Sequence, residues 1–300
     1  MPARGRARVA WHEGRLDVAI DDVERAITLF ARANDRCGMA NTKTNLGVLF
    51  LTNGEWDKAT DALRESEEIR QSIDWTTGLS SNLLNLGWLL ALRGERVEAR
   101  QKLDESLRIA SETGEEYDIA HAELALAYLD FLEDQVTDAC RHLDSLLLYR
   151  DSISDGEVIQ AQWLRALIEC SQGSPERGVL LATEARQLAR DSRLVDSEVD
   201  ACRALGVAHA RCENFEEAER YLAESADLAD RRGDPYRRGL ALLELGLLYE
   251  RAAGRQPSGV ERWRGEVQKQ VEEAGRLFRR LGARIEIART EELRSRVATA

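Results

Sequence analysis

The residue types that most often carry chemistry are sparse in this sequence. It has four histidines, and none stands in a His-Glu-x-x-His or His-x-x-x-His pair. His209 precedes Cys212 by three residues, which would place two metal-ligand side chains on one helix face, with Cys202 about two turns earlier. Free cysteine and partly buried histidine are also ordinary residues of a helical core. We favour that second interpretation and expect no metal site.

Motifs for phosphate binding and covalent catalysis are missing from the sequence. It contains no G-x-x-x-x-G-K-S/T loop, no G-x-G-x-x-G fingerprint and no G-x-S-x-G elbow. Acidic pairs such as Glu67-Glu68 and Glu272-Glu273 are adjacent, so on a helix their side chains point about 100° apart and do not converge on a substrate. The sequence therefore predicts neither a catalytic site nor a cofactor, and indicates a protein that is not an enzyme.

The composition is that of a helical protein. The 300 residues are 43% hydrophobic and 32% charged, and only 4 of them are proline. Ala, Leu, Glu and Arg, the strong helix formers, dominate, whereas proline would interrupt a helix. These proportions favour long helices around a core and argue against a β-sheet or a disordered chain.

The charge and the cysteines limit the possible partners and compartment. A net charge of -12 would repel a phosphate backbone, so nucleic acid is not the expected partner. The five cysteines form no Cys-x-x-Cys pair, which is typical of reduced residues in a cytoplasmic protein. No apolar run approaches the roughly 20 residues that a membrane-spanning helix needs, and no signal-peptide pattern is present.

The sequence repeats itself with a period near 40. The segment N-L-G-V-L-F-L-T-N-G-E-W-D-K-A (45–59) matches N-L-G-W-L-L-A-L-R-G-E-R-V-E-A (85–99) position by position. The small residue that closes this block recurs along the chain, and so does a second series of small residues in the preceding helix. The second series fails in size only at Leu167, where a shift of the register by one residue places Trp163 and Cys170 on the apolar face. The closing series is Ala19, Ala59, Ala99, Ala139, Gly178, Ala218 and Ala274. A bulky residue usually follows four positions later, on the same helical face, so each repeat predicts two packed helices.

The pattern L-G-x-x-x-x-x-x-G-E-x-x-x-A, followed by a bulky residue, resembles the tetratricopeptide repeat. The long period is similar to the repeats of kinesin light chains, Pins-type adaptors and bacterial signalling regulators. The resemblance implies an all-α, right-handed superhelical solenoid of about seven antiparallel helical hairpins over residues 1–300. The expected repeats are 1–36, 37–74, 75–114, 115–153, 154–193, 194–233 and 234–283, with a capping helix over 284–298. The proline that usually follows the second helix of such repeats is replaced here by small polar turns.

The two ends depart from the regular pattern. The first hairpin starts near Arg4 without a polar capping helix, which indicates either a fragment of a larger protein or self-association through that hairpin. The last repeat carries an insertion around 253–267, in which Ser258 and Glu261 resemble a capping box. Trp263 would lie on the resulting projection, either as a partner anchor or folded back on its own hairpin.

In the resembled family, the first helix of each repeat lines a concave groove that binds peptides. Asn45 and Asn85 occupy equivalent places, where an amide can both donate and accept hydrogen bonds with a peptide backbone, or bond a neighbouring helix instead. Trp88 and Tyr128 are either aromatic anchors or core residues. The predicted groove residues are Asn41, Thr44, Asn45, Val48, Leu84, Asn85, Trp88, Leu124, Tyr128, Arg165 and Arg203.

These residues describe a groove with an apolar centre, two amides and a basic stretch. Such a groove would fit a protein or peptide segment that carries apolar and acidic residues. The sequence therefore predicts a protein-binding scaffold. The alternative is a regulatory or sensor arm of a larger bacterial signalling protein with an ATPase, kinase, cyclase or transcription-regulator module.

Overall fold

A computed structural model describes the backbone of residues 16–255 and 260–299, and the side chains of 16–255 and 265–298. The predicted first helix near Arg4, the Ser258 capping box and the side chain of Trp263 lie outside these ranges. Over the described residues the chain is helical throughout and has no β-strand. It divides into two compact units, residues 1–129 and 130–300.

The first unit is built from consecutive helices that pack on their sequence neighbours. They are α1 (Leu16–Arg32), α2 (Arg36–Thr52), α3 (Trp56–Ser72), α4 (Leu79–Arg93), α5 (Arg96–Thr113) and α6 (Glu116–Leu132), the last of which ends just beyond the division. The α2/α3 and α4/α5 pairs form antiparallel hairpins, and α3 packs on α4.

The second unit is also built from helical hairpins. Its helices are α7 (Val136–Leu147), a 3-10 turn (Arg150–Ser152), α8 (Asp155–Ser171), α9 (Pro175–Asp191), α10 (Val195–Arg211), α11 (Phe215–Arg232), α12 (Pro235–Arg255), α13 (Val260–Leu281) and α14 (Arg284–Thr299). First helices also contact each other, α8 with α10 and α10 with α12, and α14 packs on α12 and α13. The predicted all-α fold of helical hairpins with a C-terminal capping helix is confirmed. The prediction of one continuous domain over 1–300 stays a prediction.

The small residues of the first helices permit a close approach within each hairpin. A Cβ atom on Gly87 would lie 2.7 Å from Leu103 Cγ, and one on Gly206 would lie 2.4 Å from Leu222 Cγ. Both leucines are fully buried, and burying a leucine stabilises the fold by about 1.5–3 kcal/mol. The glycine and the leucine recur together in the sequence because the same contact between the two helices recurs in these hairpins.

The structure agrees with the one-residue shift of register at Leu167. The atoms nearest to the place of a Cβ on Gly178 are Cys170 Sγ at 2.5 Å and the carbonyl oxygen of Ala166 at 2.9 Å. Ala166, and not Leu167, is thus the small residue of this repeat, so the series has no exception in size. The shift by one residue also explains why Trp163 and Cys170 are both buried.

Turns with a left-handed residue replace the missing prolines. Gly94 has a φ of 81° and Gly233 a φ of 66°, and each residue that follows donates its N–H to a carbonyl five positions earlier, as Glu95 does to Leu90. This is the Schellman end of a helix, which stops the helix without needing a proline. The expectation that proline is absent after every second helix is wrong in one place, because α12 begins at Pro235, directly after Gly233 and Asp234. Non-glycine residues take the same conformation in other turns, among them Asn34, Asp134, Arg193 and Glu213.

Serine residues fix the helices of three hairpins in register. Ser66, Ser106 and Ser225 donate to the carbonyl oxygens of Ala40, Ser80 and Val199, each at 2.8 Å and each across 26 residues of sequence. All three serines are fully buried. A hydroxyl here satisfies a buried carbonyl while keeping the side chain small enough for helix contact.

Candidate functional site

The predicted groove residues of the first unit separate into exposed and buried sets. Asn45 is exposed, and Asn41, Val48, Asn85 and Trp88 are half-buried. These five residues of α2 and α4 form what we call the amide–tryptophan face. Thr44, Leu84 and Leu124 are buried instead, so the prediction that they are exposed in the groove needs correction. Tyr128 is buried as well, which agrees with its alternative interpretation as a core residue.

Thr44 is buried because it belongs to a polar network between helices. Its hydroxyl donates to Asn82 Oδ1 at 2.8 Å and lies 2.9 Å from Ser66 Oγ, while Asn82 Nδ2 donates to the carbonyl oxygen of Leu63 at 3.0 Å. Both Asn82 and Ser66 are fully buried. The network joins α2, α3 and α4, and it engages the hydroxyl of Thr44 within the protein.

Asn41 is also engaged within the protein. Its Oδ1 accepts a hydrogen bond from Arg70 Nη2 at 2.7 Å. Arg70 is almost fully buried, its guanidinium lies 4.7 Å from the ring centroid of Trp75, and burial lowers its pKa. Asn41 therefore serves to hold a buried arginine next to the turn between α3 and α4.

Asn45 and Asn85 keep hydrogen-bonding capacity at equivalent positions of α2 and α4. Asn85 Nδ2 donates to the carbonyl oxygen of Ser81 at 2.7 Å, and its Oδ1 makes no hydrogen bond to the described part of the chain. The side chain of Asn45 makes none at all there. The two amides are thus available on the surface of neighbouring hairpins.

Trp88 forms an aromatic pair beside these amides. Its ring centroid lies 5.0 Å from that of Tyr128, with the planes tilted by 40°. Tyr128 is buried and Trp88 half-buried, so the tyrosine supports the tryptophan from below. Such pairs fix the orientation of an indole ring that is still partly open to a partner.

Arg165 points to its own unit rather than to an open face. Its Nη2 lies 2.9 Å from Asp144 Oδ1, which ties α8 to α7. Once the small residue of this repeat is recognised as Ala166, Arg165 lies next to it, on the side of α8 that faces the preceding helix. The physical reason for its placement is the carboxylate of Asp144.

Arg203 is a buried cation with few partners. Only 6% of its surface is exposed, and its guanidinium lies 5.4 Å from the ring centroid of Trp163. It makes no hydrogen bond and no ion pair within the described residues, and its Nε is enclosed. The equivalent positions 40 residues before and after Arg203 carry the apolar residues Trp163 and Leu243.

Glu286 of α14 was not expected in the interior. It is 1% exposed, its Oε1 accepts a hydrogen bond from the Tyr236 hydroxyl at 3.0 Å, and its Oε2 has no partner. Burial raises the pKa of this carboxyl, and the nearby charges of Arg289 and Arg203 oppose the rise. Leu293 of the same helix is also buried, whereas Ala288 is exposed.

The cysteine and histidine candidates do not come together. In the parts of the chain that the structure describes, Glu198, Cys202 and Glu224 are the one group with three possible metal-ligand atoms within 4.8 Å of one another. Arg186 Nη2 lies 2.6 Å from Glu224 and Arg190 Nε 2.5 Å from Glu198, so guanidinium groups already pair with both carboxylates. Burial raises the pKa of the Cys202 thiol to about 12, which keeps it protonated.

His209 lies outside this group and has its own structural role. Its ring stacks on Tyr221 with centroids 5.5 Å apart, and burial lowers its pKa. A neutral, stacked imidazole is a normal packing residue between α10 and α11.

No described helix is both long and apolar enough to cross a bilayer.

Comparisons with known proteins agree with this fold. The family model described as "Tetratricopeptide repeat" matches residues 2–72. No curated protein sequence matches the chain. This match covers about a quarter of the chain, and together with the hairpins described above it supports a repeat protein of the tetratricopeptide type.

Solved structures of the same fold cover nearly the whole chain. A Rap conjugation gene regulator of a plasmid, in complex with the Phr* peptide, is 14% identical with a TM-score of 0.70, covering 93% of this chain and 75% of that one. NprR in complex with its cognate peptide NprX is 13% identical with a TM-score of 0.65, covering 92% and 84%. A signal transduction ATPase with a tetratricopeptide repeat sensor from Pyrococcus horikoshii is 14% identical with a TM-score of 0.56, covering 97% and 48%. At these identities the likeness establishes a shared fold.

Proposed function

We propose that this protein is a non-catalytic scaffold that binds a peptide segment of a partner protein on the amide–tryptophan face. The observation that carries the proposal is the pair Asn45 and Asn85, whose amides occupy equivalent positions on neighbouring hairpins. Asn45 has no hydrogen bond to the described residues, and Asn85 keeps its acceptor oxygen and one donor. An extended peptide backbone offers the alternating donors and acceptors that two such amides can bind.

Trp88 would supply the apolar part of the interaction. Its ring is supported by Tyr128 at 5.0 Å and remains half-exposed, so binding would bury a side chain that is already held in place. Aromatic anchors of this kind carry much of the binding energy at protein interfaces. Val48, half-buried at the equivalent place of the preceding hairpin, would extend the apolar contact.

Two proteins of the same fold support a peptide as the ligand class. The Rap regulator and NprR were both solved with peptides bound. A fold that binds peptides elsewhere is compatible with the same use here, although function depends on the site and not on the fold. A cytoplasmic location remains the prediction made from the cysteines.

A second candidate is a sensor arm within a larger signalling protein. The Pyrococcus horikoshii ATPase matches this chain over 97% of its residues but over only 48% of its own, so in that protein the repeats are one part of a longer chain. The two candidates differ in genetic context. An open reading frame that continues into an ATPase, kinase or cyclase module would favour the sensor arm.

The proposal is tested by selecting binders from a random dodecapeptide display library. The affinity of the best peptide is then measured by fluorescence anisotropy for the wild type and for an Asn45→Ala, Asn85→Ala, Trp88→Ala variant. We expect the affinity of this variant to fall by about 100-fold, because each lost contact costs on the order of 1 kcal/mol. Circular dichroism would confirm that both proteins are folded.

The matched control is Gln101→Ala, which removes an exposed amide from α5, the second helix of the same hairpin as Asn85. Its affinity should equal that of the wild type. Equal affinity of the triple variant and the wild type would remove the amide–tryptophan face as the binding site. Failure of the wild type to select any peptide would overturn the proposed function itself.

A further inference from the structure

We propose that a cavity in the first unit, at the start of α6, binds a small organic cation that carries a guanidinium or ammonium group. The volume of this cavity is about 340 Å³, which lies within the roughly 300–1,000 Å³ of small-molecule sites. The residues that line it are Gly78, Ser81, Glu115, Glu116, Tyr117 and Asp118. The proposal does not rest on peptide binding, because its ligand is a different class of molecule.

The first observation is a buried carboxylate without a counter-ion. Asp118 is only 7% exposed, and its Oδ2 accepts hydrogen bonds from the hydroxyls of Ser80 and Ser81, the latter at 2.6 Å. Its Oδ1 makes no hydrogen bond or ion pair within the described residues and is not enclosed, so it opens to the cavity. Buried charges are normally paired, because an unpaired buried charge lowers stability.

Glu115 brings a second carboxylate to the same place. The Ser80 hydroxyl lies 2.8 Å from Glu115 Oε2 and also contacts Asp118 Oδ2, but a hydroxyl has only one hydrogen to donate. One of the two carboxylates therefore goes without this hydrogen bond. Neither of them forms an ion pair within the described residues. A bound cation would neutralise this excess of negative charge.

Arg70 lies beside the cavity, but its hydrogen bonds are used elsewhere. A Cβ on Gly78 would lie 3.3 Å from Arg70 Nη1, so the guanidinium packs behind this glycine. Its two terminal nitrogens donate to Asn41 Oδ1 and to the carbonyl oxygen of Thr77. The cation that the carboxylates lack is therefore not supplied by this arginine.

The second unit has a matching helix start, in which the chain supplies the cation itself. The sequence is E-E-Y-D over 115–118, at the start of α6, and D-P-Y-R over 234–237, at the start of α12. In α12 the guanidinium of Arg237 is held between two carboxylates, 2.8 Å from Asp200 and 2.8 Å from Asp234. An acid that precedes the helix and a group on the neighbouring first helix together bind a guanidinium there.

The start of α6 has the same arrangement with an acid in place of the arginine. Asp118, like Arg237, is the third residue of its helix, and Glu115 corresponds to Asp234. Ser81 precedes Asp118 by 37 residues, as Asp200 precedes Arg237. A cation at this place in the first unit has to come from outside the chain.

The cavity fits an organic cation better than a metal ion. In the described chain, its three carboxylates do not bring three oxygens within 4.8 Å of one another, as the ligands of one metal ion would be. Tyr117 is 53% exposed, and its ring is held 4.3 Å from that of His121. The face of such a ring attracts guanidinium and ammonium groups.

The experiment titrates the full chain by calorimetry with butylguanidinium and with butylurea, a neutral analogue of the same shape. Butylguanidinium should bind at least about tenfold more tightly, because charge-assisted hydrogen bonds are the stronger kind. Equal binding of the two probes, or binding of neither, would overturn the proposal, and so would binding of Ca²⁺ alone. Tighter binding of N-acetyl-arginine methylamide would assign the site to a protein side chain and overturn the small-molecule ligand.

Variants then locate the bound cation. Asp118→Asn and Glu115→Gln each remove a charge and keep the size of the side chain, so the affinity for butylguanidinium should fall about tenfold in each. Tyr117→Leu should lower it several-fold. Glu105→Gln, an exposed change on α5 outside the cavity, is the matched control and should bind like the wild type. Unchanged affinity in both carboxylate variants would overturn the assignment.

A double variant, Ser81→Asp with Asp118→Arg, copies the α12 arrangement into the first unit. It should remain folded by circular dichroism and bind no butylguanidinium, because its own guanidinium occupies the site. Binding retained by this folded variant would contradict the proposal. The Asn45→Ala, Asn85→Ala, Trp88→Ala variant should still bind butylguanidinium, so a failure of the peptide site and a failure of the cation site are distinguishable.

Discussion

Buried polar residues have different purposes in this protein. The Thr44–Ser66–Asn82 network is fully satisfied, because the hydroxyl of Thr44, the amide of Asn82 and the hydroxyl of Ser66 each reach a partner between 2.8 and 3.0 Å. Such a network fixes helix register. Arg203 and Glu286 lack complete partners, so they lower the stability of the ligand-free protein.

Glu286 predicts a pH dependence of stability. Its pKa is raised above the ordinary 4.5 by burial, against hydrogen bonding by Tyr236 and the charges of Arg289 and Arg203. The folded protein thus binds this proton more tightly than the unfolded chain does. Its contribution to stability is lost as the pH rises from about 4.5 through the raised pKa, and is absent above it.

The measurement is urea unfolding of the wild type and Glu286→Gln between pH 4 and pH 8. The stability of the variant relative to the wild type should increase with pH and then level off, because the amide has no charge to bury. Glu291→Gln, an exposed change on α14, is the control and should give a pH-independent difference. Parallel curves for Glu286→Gln and the wild type would show that the carboxyl has no raised pKa.

The close packing of the two helices in each of these hairpins depends on the sizes of the residues that face each other. Gly47, Gly87 and Gly206 each face a fully buried leucine, whereas the hairpin of α8 and α9 uses Ala166 against Gly178 and has Ala182 where the others have leucine. The same interhelical space is thus filled by different pairs. A small residue on one helix is matched to the bulk on the other.

This matching predicts a large cost for one added methyl group. A Cβ on Gly87 would lie 2.7 Å from Leu103 Cγ and 3.2 Å from the Ala99 carbonyl oxygen, so Gly87→Ala should lower the free energy of unfolding by about 1–3 kcal/mol. Gly254→Ala, in α12 with no atom within 4 Å, is the matched control. It should be neutral or stabilising by up to about 1 kcal/mol, since alanine favours helix. The free energies of unfolding of both variants are measured with urea. Equal changes in the two variants would contradict the packing explanation.

Within each unit, the helix contacts are mainly between sequence neighbours. Within the second unit, α10 contacts α8, α9, α11 and α12, whereas α14 contacts only α12 and α13 among the stronger pairs. In repeat proteins stability is close to a sum of repeat and nearest-neighbour terms. Destabilisation should therefore be local.

Hydrogen exchange of Gly206→Ala tests this locality. A Cβ at this position would lie 2.4 Å from Leu222 Cγ, so protection should fall most in α10 and α11 and less in α9 and α12. Protection in α14 should change least. An equal loss in every helix of residues 130–300 would show that the unit unfolds as a single block.

The sequence alone determined the class of fold and the period of the helices. Glycine or alanine on one helix packs against leucine on its partner helix, and these residues recur at a fixed spacing. The spacing therefore predicts the hairpins directly from the sequence. Near Leu167 the sizes of the residues do not fix the register, because Ala166 and Leu167 both suit a helix. The shift by one residue that places Trp163 and Cys170 on the apolar face agrees with the burial of both side chains and with the approach of Ala166 to Gly178.

Only the tertiary structure decided which residues of the first helices remain available. Four short polar residues of these helices differ in their hydrogen bonds: Asn41, Thr44, Asn45 and Asn85. Asn41 accepts a hydrogen bond from Arg70, and Thr44 belongs to a buried network. Asn45 and Asn85 keep free hydrogen-bonding atoms within the described residues. Partners distant in sequence make this difference. The interior position of Glu286 likewise depends on Tyr236, 50 residues away. Local periodicity specifies which face of a helix is turned inward, and long-range contacts determine which polar groups on that face are satisfied.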